Sequence, residues 1–273
     1  MTQIILGVDV GGTTTKIVGY RQNKTLIGTL QVCATDQMTS LYGAIGNFLK
    51  TYQCSLKEVV KIVLTGVGAS FIEDNIYDIP TYKVKEFEAI GLGGTKLVKM
   101  EEALVVSMGT GTAFVRVQNG KVNHIGGSGV GGGTLMGLAS LLIDKRDSHV
   151  VATMGEKGNL GKVDLVIQDI THELIPSLPQ DATASNFGLV KSGVQEEDIA
   201  LGLMNMIFQT VGMMAVFACQ NTPIKHIIII GSLATLSSAQ SILNGIGQIH
   251  GIQFIIPEHA VFATAIGAVT PYL

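Results

Sequence analysis

Asp9 lies inside a glycine-rich turn, Gly7-Val8-Asp9-Val10-Gly11-Gly12-Thr13, with Lys16 just downstream, and a second such turn follows at Ser107-Met108-Gly109-Thr110-Gly111-Thr112. Glycine admits positive φ and close backbone approach, so consecutive N–H groups can converge on an anion, and threonine hydroxyls add neutral donors. The chemistry this suggests is a phosphate clamp built twice, with Gly11, Gly12 and Thr13 in one jaw and Thr110, Gly111 and Thr112 in the other. A carboxylate cannot hold a phosphate directly. Asp9 therefore implies a bridging cation, and Mg²⁺ with its own water shell is the expected one. Lys16 offers a point charge to a phosphate oxygen. For either loop alone an ordinary hairpin turn is the simpler reading; two loops, each followed by a similar strand, weigh against it.

A third glycine run, Gly126-Gly127-Ser128-Gly129-Val130-Gly131-Gly132-Gly133, is expected to open a helix over 134–143. Gly131, Gly132 and Gly133 then stand at a helix N-terminus, whose unpaired N–H groups and dipole suit an anion. Gly127, Gly129 and Gly132 satisfy G-x-G-x-x-G, but the run follows a hairpin in mid-chain and the next acid, Asp144, closes the same helix. That context does not fit a dinucleotide fold. The Walker A spacing is absent from the sequence.

The 273 residues suffice for two lobes, each with its own core. Only 14% are charged and 47% are hydrophobic, so much of the chain must be buried, with apolar surface to spare for an oligomer. A net charge of −3 without a basic run argues against a nucleic-acid partner. Cys33, Cys54 and Cys219 have neither metal-ligand spacing nor a disulfide pattern, which fits a reduced cytoplasm. The sequence opens on a strand rather than a basic and apolar leader, so no secretion signal is expected. Residues 200–219 are mostly apolar, yet Asn205 and Gln209 interrupt them and Glu196, Glu197 and Asp198 precede them. We read a buried helix rather than a membrane span.

The elements that must position these loops follow from periodicity. Residues 3–9, 14–20 and 26–33 read as three strands, 38–52 as a helix, 61–66 as a central strand ending in Thr65-Gly66, and 86–98 as a helix in which Gly91, Gly93 and Gly94 permit close approach. The second half repeats this grammar: Leu104-Val105-Val106 enters a glycine loop, 113–117 leaves it, and 121–125 returns after Asn119-Gly120. Later come a buried strand at 226–230 ending in Gly231-Ser232-Leu233, a strand at 252–256, and a terminal helix of small residues. Two related lobes, 1–98 and 99–273, are expected.

This order resembles the acetate and sugar kinase, Hsc70 and actin superfamily. The resemblance implies an α/β fold of two ribonuclease-H-like lobes, the actin-like ATPase fold, with ATP in the cleft between them and Gly231 and Ser232 in the adenosine segment. More narrowly, the chain resembles a type II, or eukaryotic-like, pantothenate kinase over essentially its whole length. Four segments carry this: Asp9 to Thr13 with Lys16, Glu86-Phe87-Glu88-Ala89, Gly126 through Gly137, and Asp181 through Gly188. The first is common among sugar kinases, whereas Glu-Phe-Glu-Ala and Thr-Ala-Ser-Asn-Phe-Gly are more particular. The implied activity is ATP- and Mg²⁺-dependent phosphorylation of pantothenate to 4'-phosphopantothenate, the first step of coenzyme A biosynthesis, in a cytoplasmic homodimer. Glu86 matches the general base; from its position alone it would be an ordinary helix N-terminal acid.

Two positions depart from the family pattern. His124 stands where an arginine usually contacts the acceptor, and Ala113 replaces a small hydroxyl residue. Glu86, Thr112 and His124 are the residues expected at the acceptor, with Arg116 or Lys121 available to compensate for the missing guanidinium. The alternatives are phosphorylation of a related alcohol such as pantetheine, or of a sugar, and a non-catalytic homologue binding nucleotide or coenzyme A. Asn186-Phe187-Gly188 is expected to lead into a helix and to do no chemistry.

Overall fold

The structure is a computed structural model that describes residues 3–33, 36–173, 175 and 178–273. Its first half is a five-stranded sheet in the order β3-β2-β1-β4-β5, made of β1 (Ile4–Val10), β2 (Thr14–Arg21), β3 (Leu26–Cys33), β4 (Val59–Thr65) and β5 (Thr81–Lys83). β1, β2 and β3 run antiparallel, while β4 joins β1 in parallel. β1 is buried along its whole length, as its apolar run requires. Helix α1 (Gln37–Thr51) begins at Asp36, which accepts a hydrogen bond from the Thr39 N–H, and buries Leu41, Ile45 and Phe48 against this sheet.

The second half repeats the design. Strands β6 (Ala103–Met108), β7 (Thr112–Gln118), β8 (Lys121–Ser128), β11 (His226–Ile230) and β12 (Gln253–Ile255) form a sheet in the order β12-β11-β6-β7-β8. Read from β8, this is the connectivity of the first sheet: three antiparallel strands, then two parallel ones. The echo seen in the sequence is a duplicated topology. β8 runs to Ser128, so Gly126 and Gly127 are strand residues rather than loop, and helix α3 starts at Gly132.

Helix α2 (Glu86–Val98) follows the first sheet in sequence but buries Ile90 against Val105, Val115 and Ile228 of the second. Conversely, α8 (Ala263–Val269), at the chain's end, buries Ala265, Ile266 and Val269 against Ile5, Val18 and Val63 of the first. Where the two helices cross, a Cβ on Gly93 would collide with the Ala263 carbonyl and one on Gly267 with the Ala89 carbonyl. The small residues of both helices thus serve backbone-to-backbone packing.

Helix α3 (Gly132–Ile143), α4 (Ser148–Gly155), α6 (Glu196–Cys219) and α7 (Ala239–His250) cover the other face of the second sheet. The apolar segment read as a buried helix is α6, whose Leu203, Ile207, Phe208 and Val211 are fully buried there. It is the one helix among the described residues long and apolar enough to cross a membrane. Between α4 and α6, β9 (Leu165–Val166) leads into the short α5 (Ile167–Ile170) and pairs antiparallel with β10 (Thr183–Ser185).

Asn186-Phe187-Gly188 does not lead directly into a helix. It forms a turn around the buried carboxylate of Asp164, which accepts hydrogen bonds from Thr183 Oγ1, Asn186 Nδ2, Asn205 Nδ2 and the Phe187 N–H at 3.0, 3.3, 2.9 and 2.8 Å. A buried carboxylate needs such donors; the Thr183-Ala184-Ser185-Asn186-Phe187 motif supplies three of them and Asn205 on α6 the fourth.

Candidate active site between the two sheets

A cleft of about 620 Å³ opens between the sheets. Its floor is set by two strand ends built alike. β4 ends in Gly66 at φ +88, pressed so closely on β1 that a side chain would strike Asp9 Oδ1 and the Val10 carbonyl. β11 ends in Gly231 at φ +95, pressed in the same way on Met108 at the end of β6. Only glycine combines this φ with this proximity. Both glycines hand the chain into a short 3₁₀ turn, Val67–Phe71 and Ser232–Thr235.

The duplicated jaws differ in charge. Asp9 pairs with Lys16 across β1 and β2, and the corresponding cross-strand pair in the second sheet is Ser107 with Ala113. Lys16 Nζ lies 3.8 Å from Asp9 Oδ2 and donates to Thr14 Oγ1 at 2.9 Å. Burial pushes the Asp9 carboxyl up from its ordinary value, and the Lys16 ammonium only partly offsets this. Glu86, the first residue of α2, is half-buried in the same cleft. Burial also raises its carboxyl, the Asp9 charge raises it further, and Lys16 opposes both.

The cleft brings together most of the residues singled out in the sequence: Asp9, Gly11, Gly12, Thr13, Lys16, Glu86, Thr110, Gly111, Thr112, His124, Gly231 and Ser232 all line it. Gly131, Gly132 and Gly133 do not. They lie behind the second loop, where the Gly132 N–H donates to the Gly109 carbonyl and the Gly133 N–H to the Thr110 carbonyl, each at 2.8 Å. The Gly131 N–H goes to Thr134 Oγ1. The Gly132 and Gly133 N–H groups are therefore spent on holding the loop, and glycine is required at Gly131 because a Cβ there would sit 2.8 Å from the Thr110 carbonyl oxygen. Thr112 has a double role, since its hydroxyl donates to the Val130 carbonyl at 2.8 Å while the residue still borders the cleft.

Arg116 does not reach the cleft. It projects from the opposite face of β7, and its Nη2 donates to the Ala218 carbonyl in the last turn of α6 at 2.7 Å. Lys121 is exposed at the start of β8 and is likewise no part of the lining. His124 instead stacks on Phe87, the neighbour of Glu86, with ring centroids 3.7 Å apart and planes 7° from parallel. Sequence reasoning missed Phe87, Ser128, Val261 and Thr264 as lining residues. Phe87 lay in the quoted Glu-Phe-Glu-Ala segment, and Ser128 in the third glycine run. Val261 and Thr264 carry no signal beyond their place near the terminal helix.

The Fumble family model matches residues 67–270, most of the chain, from just after β4 to just past α8. A type II pantothenate kinase of Staphylococcus epidermidis is 26% identical over 276 aligned positions, covering 96% of this chain and 98% of that one. Among solved structures, component A of (R)-2-hydroxyglutaryl-CoA dehydratase from Acidaminococcus fermentans superposes with a TM-score of 0.72 at 18% identity, covering 98% of this chain and 96% of that one. A ROK family glucokinase from Streptomyces griseus, in complex with glucose and AMPPNP, superposes with a TM-score of 0.65 at 10% identity and covers 98% of each chain. At these identities the solved structures speak for the two-lobed actin-like ATPase fold alone. With its duplicated sheets, its glycine-pinched cleft and a family match spanning three quarters of its length, the chain belongs to the Fumble family.

Proposed function

We propose that this chain is an ATP-dependent kinase that phosphorylates pantothenate to 4'-phosphopantothenate, in the first step of coenzyme A biosynthesis. The observation that carries this reading is the placement of Glu86 in the cleft, within the field of Asp9 and Lys16 and facing both glycine loops. The naming of the full-length relative as a type II pantothenate kinase supports pantothenate over the alternative acceptors.

Each residue then has a distinct task. The N–H groups of Gly11, Gly12 and Thr13 and those of Thr110, Gly111 and Thr112 hold the phosphates, with Gly231 and Ser232 on the adenosine side. Asp9 fits a hydrated Mg²⁺: its buried carboxylate has one ammonium beside it, at a distance too long for a hydrogen bond. The cation, when bound, neutralises charge on the phosphates. Lys16 sits across the strand pair from Asp9 and meets a phosphate oxygen. Glu86 accepts the proton of the acceptor hydroxyl as that oxygen attacks phosphorus. A carboxyl raised by burial is a stronger base once ionised. Thr112 and His124 flank the acceptor.

The two lobes, 1–98 and 99–273 in chain order, close on the substrates and exclude water, with the α2–α8 crossing between them. A cytoplasmic homodimer completes the reading. Its contacts draw on α6, where Phe217 is exposed. Incubation with Mg²⁺, ATP and pantothenate, followed by mass spectrometry, tests the activity. The expected product is 4'-phosphopantothenate with one ADP released per acceptor consumed. ATP binding without a phosphorylated acceptor would overturn the proposal.

A further inference from the structure

Phe87 and His124 come from different layers of the molecule. Phe87 lies in the first turn of α2, beside Glu86, and His124 lies on β8, the outer strand of the second sheet, just past a register shift at Phe114/Val115. Their rings are nearly parallel at 3.7 Å and both border the cleft. An exposed imidazole on a sheet edge ordinarily samples several rotamers. Here one face is covered by the phenyl ring, which fixes the plane of the imidazole, and both of its nitrogens lie in that plane. The charged groups that share this cleft are Asp9, Lys16 and Glu86. Lys16 is turned to Asp9 and Thr14, so His124 is the nitrogen donor left on the β8 side.

Resting on the kinase reading above, we infer that Phe87 is a positioning residue for acceptor specificity: by stacking on His124 it aims an imidazole N–H at the acceptor, and the paired rings form the apolar wall beside the attacked hydroxyl.

The test uses the native protein with Phe87→Ala, Phe87→Tyr and His124→Phe. The expected result is a KM for pantothenate raised about fivefold to tenfold in Phe87→Ala, the size of an aromatic pair interaction, with kcat and the KM for ATP within about twofold. Phe87→Tyr, which keeps the stacking face, restores the native KM. His124→Phe keeps the stack and loses the donor, and its KM rises as in Phe87→Ala. A second readout is the NMR resonance of the His124 ring proton on Cε1, shielded by the phenyl ring in the native protein and in Phe87→Tyr and released in Phe87→Ala. An unchanged acceptor KM in Phe87→Ala, or a native KM in His124→Phe, overturns the inference while the kinase reading stands. A native chain that does not phosphorylate pantothenate overturns both.

Discussion

Gly93 of α2 and Gly267 of α8 face each other where the two helices cross, close enough that neither position has room for a Cβ. The crossing matters because each helix belongs by sequence to one lobe and packs on the sheet of the other. Glu86 on α2 and Thr264 on α8 both border the cleft, so the contact sets how Glu86 is presented to the two glycine loops. Replacing Gly267 by Ala forces a methyl group onto the Ala89 carbonyl. We expect a loss of about 1–3 kcal/mol in chemical denaturation, typical of overpacking, together with reduced turnover. An equally stable, fully active Gly267→Ala would show that the helices separate without consequence.

The charge on Asp9 is costly to the protein without ligands. Its folded carboxyl is raised above the unfolded value, so the ionised form destabilises the fold at neutral pH, and the cost disappears as pH falls below the unfolded value. Asp9→Asn should therefore raise the Tm of the ligand-free protein at pH 7 and have little effect near pH 3. If Asp9 holds the cation, the same substitution abolishes the extra thermal shift that Mg²⁺ adds to ATP. Opposite signs from one substitution, read in a thermal scan, distinguish a ligand-binding carboxylate from a structural one. A lower Tm without ligands would contradict this account.

Asp164 plays the reverse part. It is fully buried, and four donors converge on it. Asp164→Ala strands the Phe187 N–H and the side chains of Thr183, Asn186 and Asn205. The expected cost is on the order of 3 kcal/mol, measured by denaturant titration. Asn186→Ala also breaks a 3.4 Å bond to Gln209 but leaves Asp164 its other three donors, so it should cost less than Asp164→Ala. A larger loss in Asn186→Ala would mean that the turn is held by something other than the carboxylate.

The strands and glycine loops that border the cleft were legible because their signals are local. Apolar runs ending in glycine mark β1, β4, β6 and β11, and the interval from Glu86 to Val98 is a helix as its pattern predicts. The supporting glycines were misread for a physical reason. A glycine run before a helix looks the same in sequence whether its N–H groups face a ligand or a neighbouring loop, and only packing shows that the Gly132 and Gly133 N–H groups go to Gly109 and Thr110. The crossing of α2 and α8 was half visible, since small residues announce a close neighbour without naming it. Helix α7 escaped notice because Gly245 and Gly247 dilute its apolar face of Leu243 and Ile246. The role of Asp164 was invisible, as its partners lie 19 to 41 residues away.

Glu86 bears the central claim, and one pair of proteins tests it most directly: the native chain and Glu86→Gln, compared for turnover of ATP and pantothenate across pH. Burial and the Asp9 charge raise the Glu86 carboxyl, so the native kcat/KM should fall on the acid side at a pH above the ordinary glutamate range, as the base takes up its proton. Glu86→Gln should lose at least about a hundredfold in kcat, the lower end of what a general base contributes, and bind ATP as before. A Glu86→Gln enzyme that keeps native turnover, or one that loses it with the acid limb unchanged in position, would contradict the assignment of Glu86 as the base.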